Sequence, residues 1–227
     1  MMRLHSSWIA VSLLAGLAST ACSHAPAAPV QASPQQAPSS AHRNLSDSAG
    51  PHTLKAGYPY TEADVRFMSH MIGHHAQALV MAGWAPSHGA SPSVRTLAER
   101  IINGQQDEIV SMQRWLRDRG QPVPEPSDTG MKMQMHGADH AMLMPGMLTE
   151  AQMRQLDQAN GPEFDRLFLT FMIQHHRGAV TMVKDLFGTN GAAQDEKVFK
   201  FANDVNVDQS TEIARMERML AALEPGA

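Results

Sequence analysis

Apolar residues recur at intervals of three and four along four long stretches of the chain, and no segment sustains the alternation expected of a strand. Thr61 is placed to cap the first helix, with Asp64 at the third helical position, and the helix runs to about Ala85 and stops at Pro86. The second helix opens with Ser91 as cap and Pro92 at its first position. It carries an apolar stripe through Leu97, Ile101, Ile109, Met112 and Leu116 and ends near Arg119, where Gly120 can leave the helix. Thr149 and Gln152 mark the start of a short helix that Gly161 ends. The third long helix begins near Pro162, carries Phe164, Leu167, Phe168 and Phe171, and ends at Gly188. The fourth runs from about Asp195 to Leu223, ahead of Pro225. Residues 121–148, opened by Pro122, Pro124 and Pro126, read as a long loop, and a loop of that length in a compact domain asks for a functional or disorder explanation.

The two halves of this pattern repeat each other. Met71-Ile72-Gly73-His74-His75-Ala76-Gln77-Ala78-Leu79-Val80-Met81 on the first helix matches Met172-Ile173-Gln174-His175-His176-Arg177-Gly178-Ala179-Val180-Thr181-Met182 on the third, as M-I-x-H-H-x-x-A-[LV]-x-M. The second and fourth helices share Q-x-x-E-I-x-x-M-x-R-x-L, from Gln105 to Leu116 and from Gln209 to Leu220. The repeated unit is thus a helical hairpin. Two of them predict an all-α, ferritin-like four-helix bundle over residues 58–227, with loop 121–148 joining the halves.

The repeat also carries chemistry. On a helix, Met71, His74, Ala78 and Met81 fall on one face with His75 at its flank, and Met172, His175, Ala179 and Met182 form the matching stripe with His176 at its flank. The partner helices present Gln105, Glu108 and Met112, and Gln209, Glu212 and Met216. Thioethers are soft, neutral ligands suited to Cu(I) or Ag(I), and imidazole suits copper in either oxidation state. Adjacent helical positions lie about 100° apart, so the two histidines of a pair face different ways. One can bind metal while its neighbour donates to Glu108 or Glu212, and the sequence does not say which. Helical methionine is more often core filler than ligand. Met153 and Met219 read as filler, while Met112 and Met216 fit either role. The joining loop adds Met131, Met133, Met135, His136 and His140, then Met142, Met144 and Met147, as further candidate ligands.

Composition narrows the setting. The chain has 17 methionines and 12 histidines but one cysteine, which leaves no internal disulfide framework and no cysteine-based zinc finger. A net charge of −4 without a basic run gives no sign of a nucleic-acid partner. Arg3, the apolar run Trp8 to Ala18 and the small residues Ser19-Thr20-Ala21 read as a signal peptide over residues 1–21. Cys22 directly after it resembles the acylated cysteine of a bacterial lipoprotein, although Ser19 stands where a lipobox usually has Leu. Residues 22–57, rich in Ala, Pro, Ser and Gln, read as a flexible tether. The expected location is the periplasm or cell envelope, and a lipid anchor at Cys22 is the one expected membrane contact. Thioether ligands suit such an oxidising compartment because they form no disulfides.

The two M-I-x-H-H motifs, Gly161-Pro162-Glu163-Phe164-Asp165-Arg166-Leu167-Phe168-Leu169, Met144-Pro145-Gly146-Met147 and the two Q-x-x-E-I-x-x-M stretches resemble the bacterial family named domain of unknown function 305. The likeness covers about residues 59–223. It implies a ferritin-like four-helix bundle and copper binding through Met71, His74, His75, Met81, Met172, His175, His176 and Met182. The leading reading is a non-enzymatic copper protein, with silver as a surrogate ion, that sequesters copper or hands it to copper-handling envelope proteins. A ferritin-like di-metal oxidase is a second reading, but the chain contains no Glu-x-x-His motif. A metal-free helical interaction module with a pH-sensitive histidine seam is a third. Oligomeric state stays open.

Overall fold

The computed structural model describes residues 59–127, the backbone of 131–135 and 138–142, and residues 143–223. The predicted signal peptide, Cys22, the tether and His136 lie outside the described residues, as do the side chains of Met131, Met133, Met135 and His140. The helices are α1 (Glu62–Gly83), α2 (Pro92–Asp118), a short α3 (Glu150–Gln158), α4 (Pro162–Gly188) and α5 (Glu196–Ala221). Their starts follow the local chemistry. Thr61 and Asp64 close a capping box on α1, Thr149 and Gln152 do the same on α3, and Ser91 and Asp195 cap α2 and α5. Gly120 and Gly161 both take positive φ where the chain leaves or enters a helix. No helix among the described residues is long and apolar enough to cross a membrane.

α1 packs on α2 and α4 packs on α5, and the two helical hairpins meet where α1 lies against α4. Three buried carboxylates tie the halves together at helix ends. Asp64 accepts the Ala193 N–H at 2.7 Å, and Asp165 accepts the Ser91 N–H at 3.1 Å. Asp195 accepts from the N–H groups of Lys197 and Val198 and from Trp115 Nε1, and pairs with Arg119. A carboxylate that answers backbone donors and a guanidinium at once is one of the few ionised groups a core tolerates.

The apolar interior is not continuous. One cluster gathers Met68, Met71 and Ile72 of α1, Met112, Trp115 and Leu116 of α2, Ala179, Met182 and Leu186 of α4, and Val198, Ala202 and Val205 of α5. The other gathers Ala78 and Met81 of α1, Val94, Leu97 and Ile101 of α2, Phe164, Phe168 and Met172 of α4, and Met216 of α5. Between them, every long helix contributes polar residues: His74 and His75, Gln105 and Glu108, His175 and His176, Gln209 and Glu212. The bundle is thus two apolar compartments separated by a polar layer.

The segment expected to be a structureless loop departs from that reading in two ways. Residues Met131–Met135 (β1) and Ala138–Met142 (β2) pair as an antiparallel ribbon, with Met131 opposite Met142 and Met133 opposite His140. The alternation Met-Lys-Met-Gln-Met is a strand pattern only five residues long, too short to stand out beside the proline-rich approach. After it, residues 143–148 form a strap across the bundle. Met144 and Met147 of this strap are buried in the first apolar cluster, so they cover the bundle. Gln77 clamps the strap, donating to the Leu148 carbonyl at 3.1 Å and accepting its N–H at 2.7 Å. Gln174 donates to the Gly146 carbonyl at 3.3 Å.

Two glycines make that approach possible. Gly146 has φ +77°, and a Cβ there would fall 2.6 Å from the Gln174 carbonyl oxygen. A Cβ on Gly178 would fall 1.9 Å from the Pro145 oxygen, a backbone atom that cannot swing aside. Gly178→Ala should therefore lift the strap and lower stability by about 2 kcal/mol, in the range of overpacked core sites, despite its higher helix propensity. Urea denaturation of the two proteins checks this, and equal midpoints would mean that the strap is not tightly seated.

Candidate metal centre

His74, His75, His175 and His176 have no solvent-exposed surface. The flank positions expected for His75 and His176 are thus as buried as the stripes themselves. Each takes a distinct set of contacts. His75 Nε2 lies 2.7 Å from Glu108 Oε2, and His176 Nε2 lies 2.8 Å from Glu212 Oε2, one pair in each helical hairpin. His74 Nε2 lies 3.0 Å from the Pro145 carbonyl oxygen of the strap. A carbonyl only accepts, so this nitrogen carries the proton and His74 Nδ1 keeps its lone pair. His74 and His175 meet across the α1–α4 seam with ring centroids 3.9 Å apart and planes tilted by 38°. The sequence left open which histidine of each pair faces the carboxylate, and the second one does so both times.

Five nitrogens of these rings have no hydrogen-bond partner: Nδ1 of all four, and Nε2 of His175. Both amide atoms of Gln105 and the Oε1 of Gln209 are likewise buried and unpartnered. Buried polar atoms without partners cost about 1–3 kcal/mol each, so a cluster of them calls for a reason. Burial, the neighbouring imidazole of His75 and that of His176 push the His74 pKa down to about 3, although its bond to the Pro145 carbonyl works the other way. His175 is driven well below the ordinary value by burial and by His74, His176 and His75, although a contact with the His74 backbone works the other way. His74 and His175 are therefore neutral imidazoles at pH 7, which is the protonation state a metal requires.

The helical methionines flank this layer symmetrically. Met71, Met112 and Met182 belong to the first apolar cluster and Met81, Met172 and Met216 to the second. Each cluster thus receives one methionine from three positions before a His-His pair, one from seven positions after the first histidine of the other pair, and one from a Q-x-x-E-I-x-x-M stretch. All six are at most 8% exposed. The stripe that reads as continuous in the sequence is thus divided between two compartments, with imidazoles at the division. Met153 and Met219 pack at the margin of the second cluster, as filler would. Among the described residues, no group of three or more His, Cys, Asp or Glu side chains is placed to hold a metal ion, so a site here would draw on thioethers as well as imidazoles.

Access to the layer lies between α2 and α5. A cleft of about 250 Å³ is lined by Gln105, Glu108, Asp208, Gln209 and Glu212. Glu108 and Glu212 are partly exposed there while their partners His75 and His176 are not, so each carboxylate links solvent to a buried ring. Asp208 stands out only in three dimensions. Partial burial and then the nearby Glu108, Asp204 and Glu212 carboxylates raise its pKa.

The family model described as domain of unknown function (DUF305) matches residues 64–220. That is well over half of the chain, which belongs to this family. A DUF305 fragment from Deinococcus radiodurans is 32% identical over 72% of this chain and 98% of its own, with a TM-score of 0.59. A DUF305 protein from Streptomyces coelicolor is 30% identical over 71% and 93%, also with a TM-score of 0.59. CopM in its Cu(II)-bound form is 30% identical over 71% of this chain and 97% of its own, with a TM-score of 0.55, and CopM has also been solved in Cu(I)-bound, silver-bound and apo forms. No curated protein matches the sequence.

Because His74 and His175 are held neutral in the fold, the unfolded chain binds protons that the folded one does not. Their contribution to stability is complete above the ordinary value of 6.5 and is lost as pH falls from there toward 3. Between pH 7 and pH 5.5 the metal-free protein should lose about 2 kcal/mol of unfolding free energy, from about 1.4 kcal/mol per pH unit for each imidazole at full slope. Urea titrations at both pH values test this, and His74→Gln/His175→Gln should remove most of the dependence.

Proposed function

We propose that this DUF305 chain is an exported copper-binding protein, taking up Cu(I) in particular, with its ions held at the layer of four histidines and the methionines on either side. The observation that carries the reading is the set of five nitrogens without a side-chain or backbone hydrogen bond of good geometry on four fully buried imidazoles drawn from both helical hairpins. A bound soft ion would satisfy nitrogens that otherwise face nothing. The structural similarity to CopM, solved with copper and with silver, supports the same chemistry.

The residues divide the work. Glu108 and Glu212 fix the Nε2 side of His75 and His176, which orients those rings and leaves Nδ1 free, in the manner of a carboxylate behind a metal-bound histidine. His74 is oriented the same way by the Pro145 carbonyl. His175 faces the His74 backbone and ring across the seam, and neither of its nitrogens makes a hydrogen bond of good geometry. Met71 and Met112 on one side and Met81, Met172 and Met216 on the other supply the layer with soft donors that need no deprotonation, and Met182 supplies another at the margin, where it lines the α1–α4 groove. Copper is cargo in this reading. The protein sequesters it or passes it to copper-handling partners of the envelope, without catalysis, and is anchored through an acylated Cys22. The ribbon residues Met131, Met133, Met135, His136 and His140 are proposed as an auxiliary capture surface.

An anaerobic Cu(I) titration against a chromophoric chelator tests the proposal, using the full chain with Cys22→Ser so that the thiol does not compete. The variant with His74, His75, His175 and His176 changed to Gln should bind at least 100-fold more weakly. Unchanged binding in that variant would move the site away from the layer. No competition by the parent protein would remove copper from the account and favour the metal-free histidine seam.

A further inference from the structure

The face opposite the cleft carries a second constellation, on the far side of the strap. A groove of about 220 Å³ runs between α1 and α4 and is lined by His70, Met144, Pro145 and Met182, with Arg66 and Asp185 beside them. His70 lies four residues before His74, so it occupies the same face of α1 one turn away. It is partly exposed and has no hydrogen-bond partner among the described residues. Met144 and Met182 each keep 8% of their surface open, unlike Met71 and Met112, which are sealed in the same cluster. Pro145, between the methionine that lines the groove and the glycine that seats the strap, presents to His74 the carbonyl that fixes its ring.

We infer that this groove is a separate, outer site for a soft monovalent cation, with the His70 imidazole and the Met144 and Met182 thioethers as its ligands. One imidazole and two thioethers form a neutral, soft donor set of the kind that prefers Cu(I) or Ag(I) to harder divalent ions. The site is half-open where the histidine layer is closed, so it exchanges ions with solvent. The Arg66 guanidinium lies beside His70 in the groove. Asp185 brings a carboxylate to the same groove and offsets the Arg66 charge that an incoming cation meets. Because the strap joins the outer ligand Met144 to the inner contact of Pro145, an ion in the groove is one strap movement from the layer. The inference rests on the chain being a soft-metal binder, but it places an ion where the four-histidine proposal places none.

Silver(I) titration of the full Cys22→Ser chain, labelled with 13C at its methionine methyls and followed by NMR, separates the two. In the variant with all four layer histidines changed to Gln, the Met144 and Met182 methyl signals should still shift and saturate at one equivalent. In His70→Gln/Met144→Leu, which keeps side-chain volumes close, total stoichiometry should fall by one while the layer fills. Methyls of Met144 and Met182 that stay unmoved at saturation, or a His70→Gln/Met144→Leu variant with unchanged stoichiometry, would overturn the outer site. If the layer variant fails to fold, the His70→Gln/Met144→Leu comparison decides alone. A filled groove with an empty layer would sink the four-histidine site and leave this one standing.

Discussion

The rest of the structure depends on one constraint: four imidazoles are buried in the middle of a helical bundle. A neutral imidazole ring packs well by its faces, but its nitrogens need partners, and here most have none. A bundle core can accept such a layer only if the apolar contacts on either side are extensive enough to offset it. That is the arrangement found, with a full apolar cluster above and below the layer and all four long helices passing through both. The two glutamates do the remaining work at the layer's edge. Each accepts from a histidine inside and meets solvent outside, so no carboxylate has to be buried to answer a ring.

Duplication explains the symmetry of the layer, and the strap explains where it breaks. The pairs His75–Glu108 and His176–Glu212 are near copies in distance and burial. His74 and His175 should then be equivalent, yet only His74 meets the strap, because a single strap crosses the seam and offers a single carbonyl. The glycines that admit the strap are unequal in the same way. Gly178 in the second motif lies under Pro145, whereas the first motif has Gln77 at the position after Ala76 and uses it as a clamp on Leu148. One repeat supplies the space and the other supplies the grip.

Much of this was legible in the chain before any coordinates. The helix starts were readable because Thr61, Ser91, Thr149 and Asp195 each cap by a local hydrogen bond, which sequence spacing determines. The histidine layer was readable because the repeat marks it twice. What the sequence hid is set by contacts between distant residues. Met144 and Met147 look like loop methionines because nothing local says that residues 143–148 descend into the core. The Pro145 carbonyl is invisible for the same reason, since any residue could supply a carbonyl there. His70 passed unnoticed although it stands four residues from His74, because its partners in the groove come from the strap and from α4. The short ribbon was missed because five alternating residues carry little signal.

The layer also links stability to function in a definite direction. Unpartnered nitrogens make the metal-free bundle less stable than an all-apolar interior of the same shape would be. An ion that binds the folded chain and satisfies those nitrogens adds stability in proportion to the logarithm of its concentration over its dissociation constant. On the proposed reading, the same atoms hold the destabilisation of the empty protein and the affinity of the filled one. Replacing the histidines by apolar residues would then tighten the core and abolish the proposed site together. The polar layer is maintained against the packing preference of the bundle, and the Glu108, Glu212 and Pro145 contacts keep three of its rings aimed while it is empty. Preorganisation of this kind lowers the cost of ordering ligands at the moment of binding. It accounts for a bundle whose centre is closed to solvent and whose openings lie at its rim, where the proposed exchange would occur.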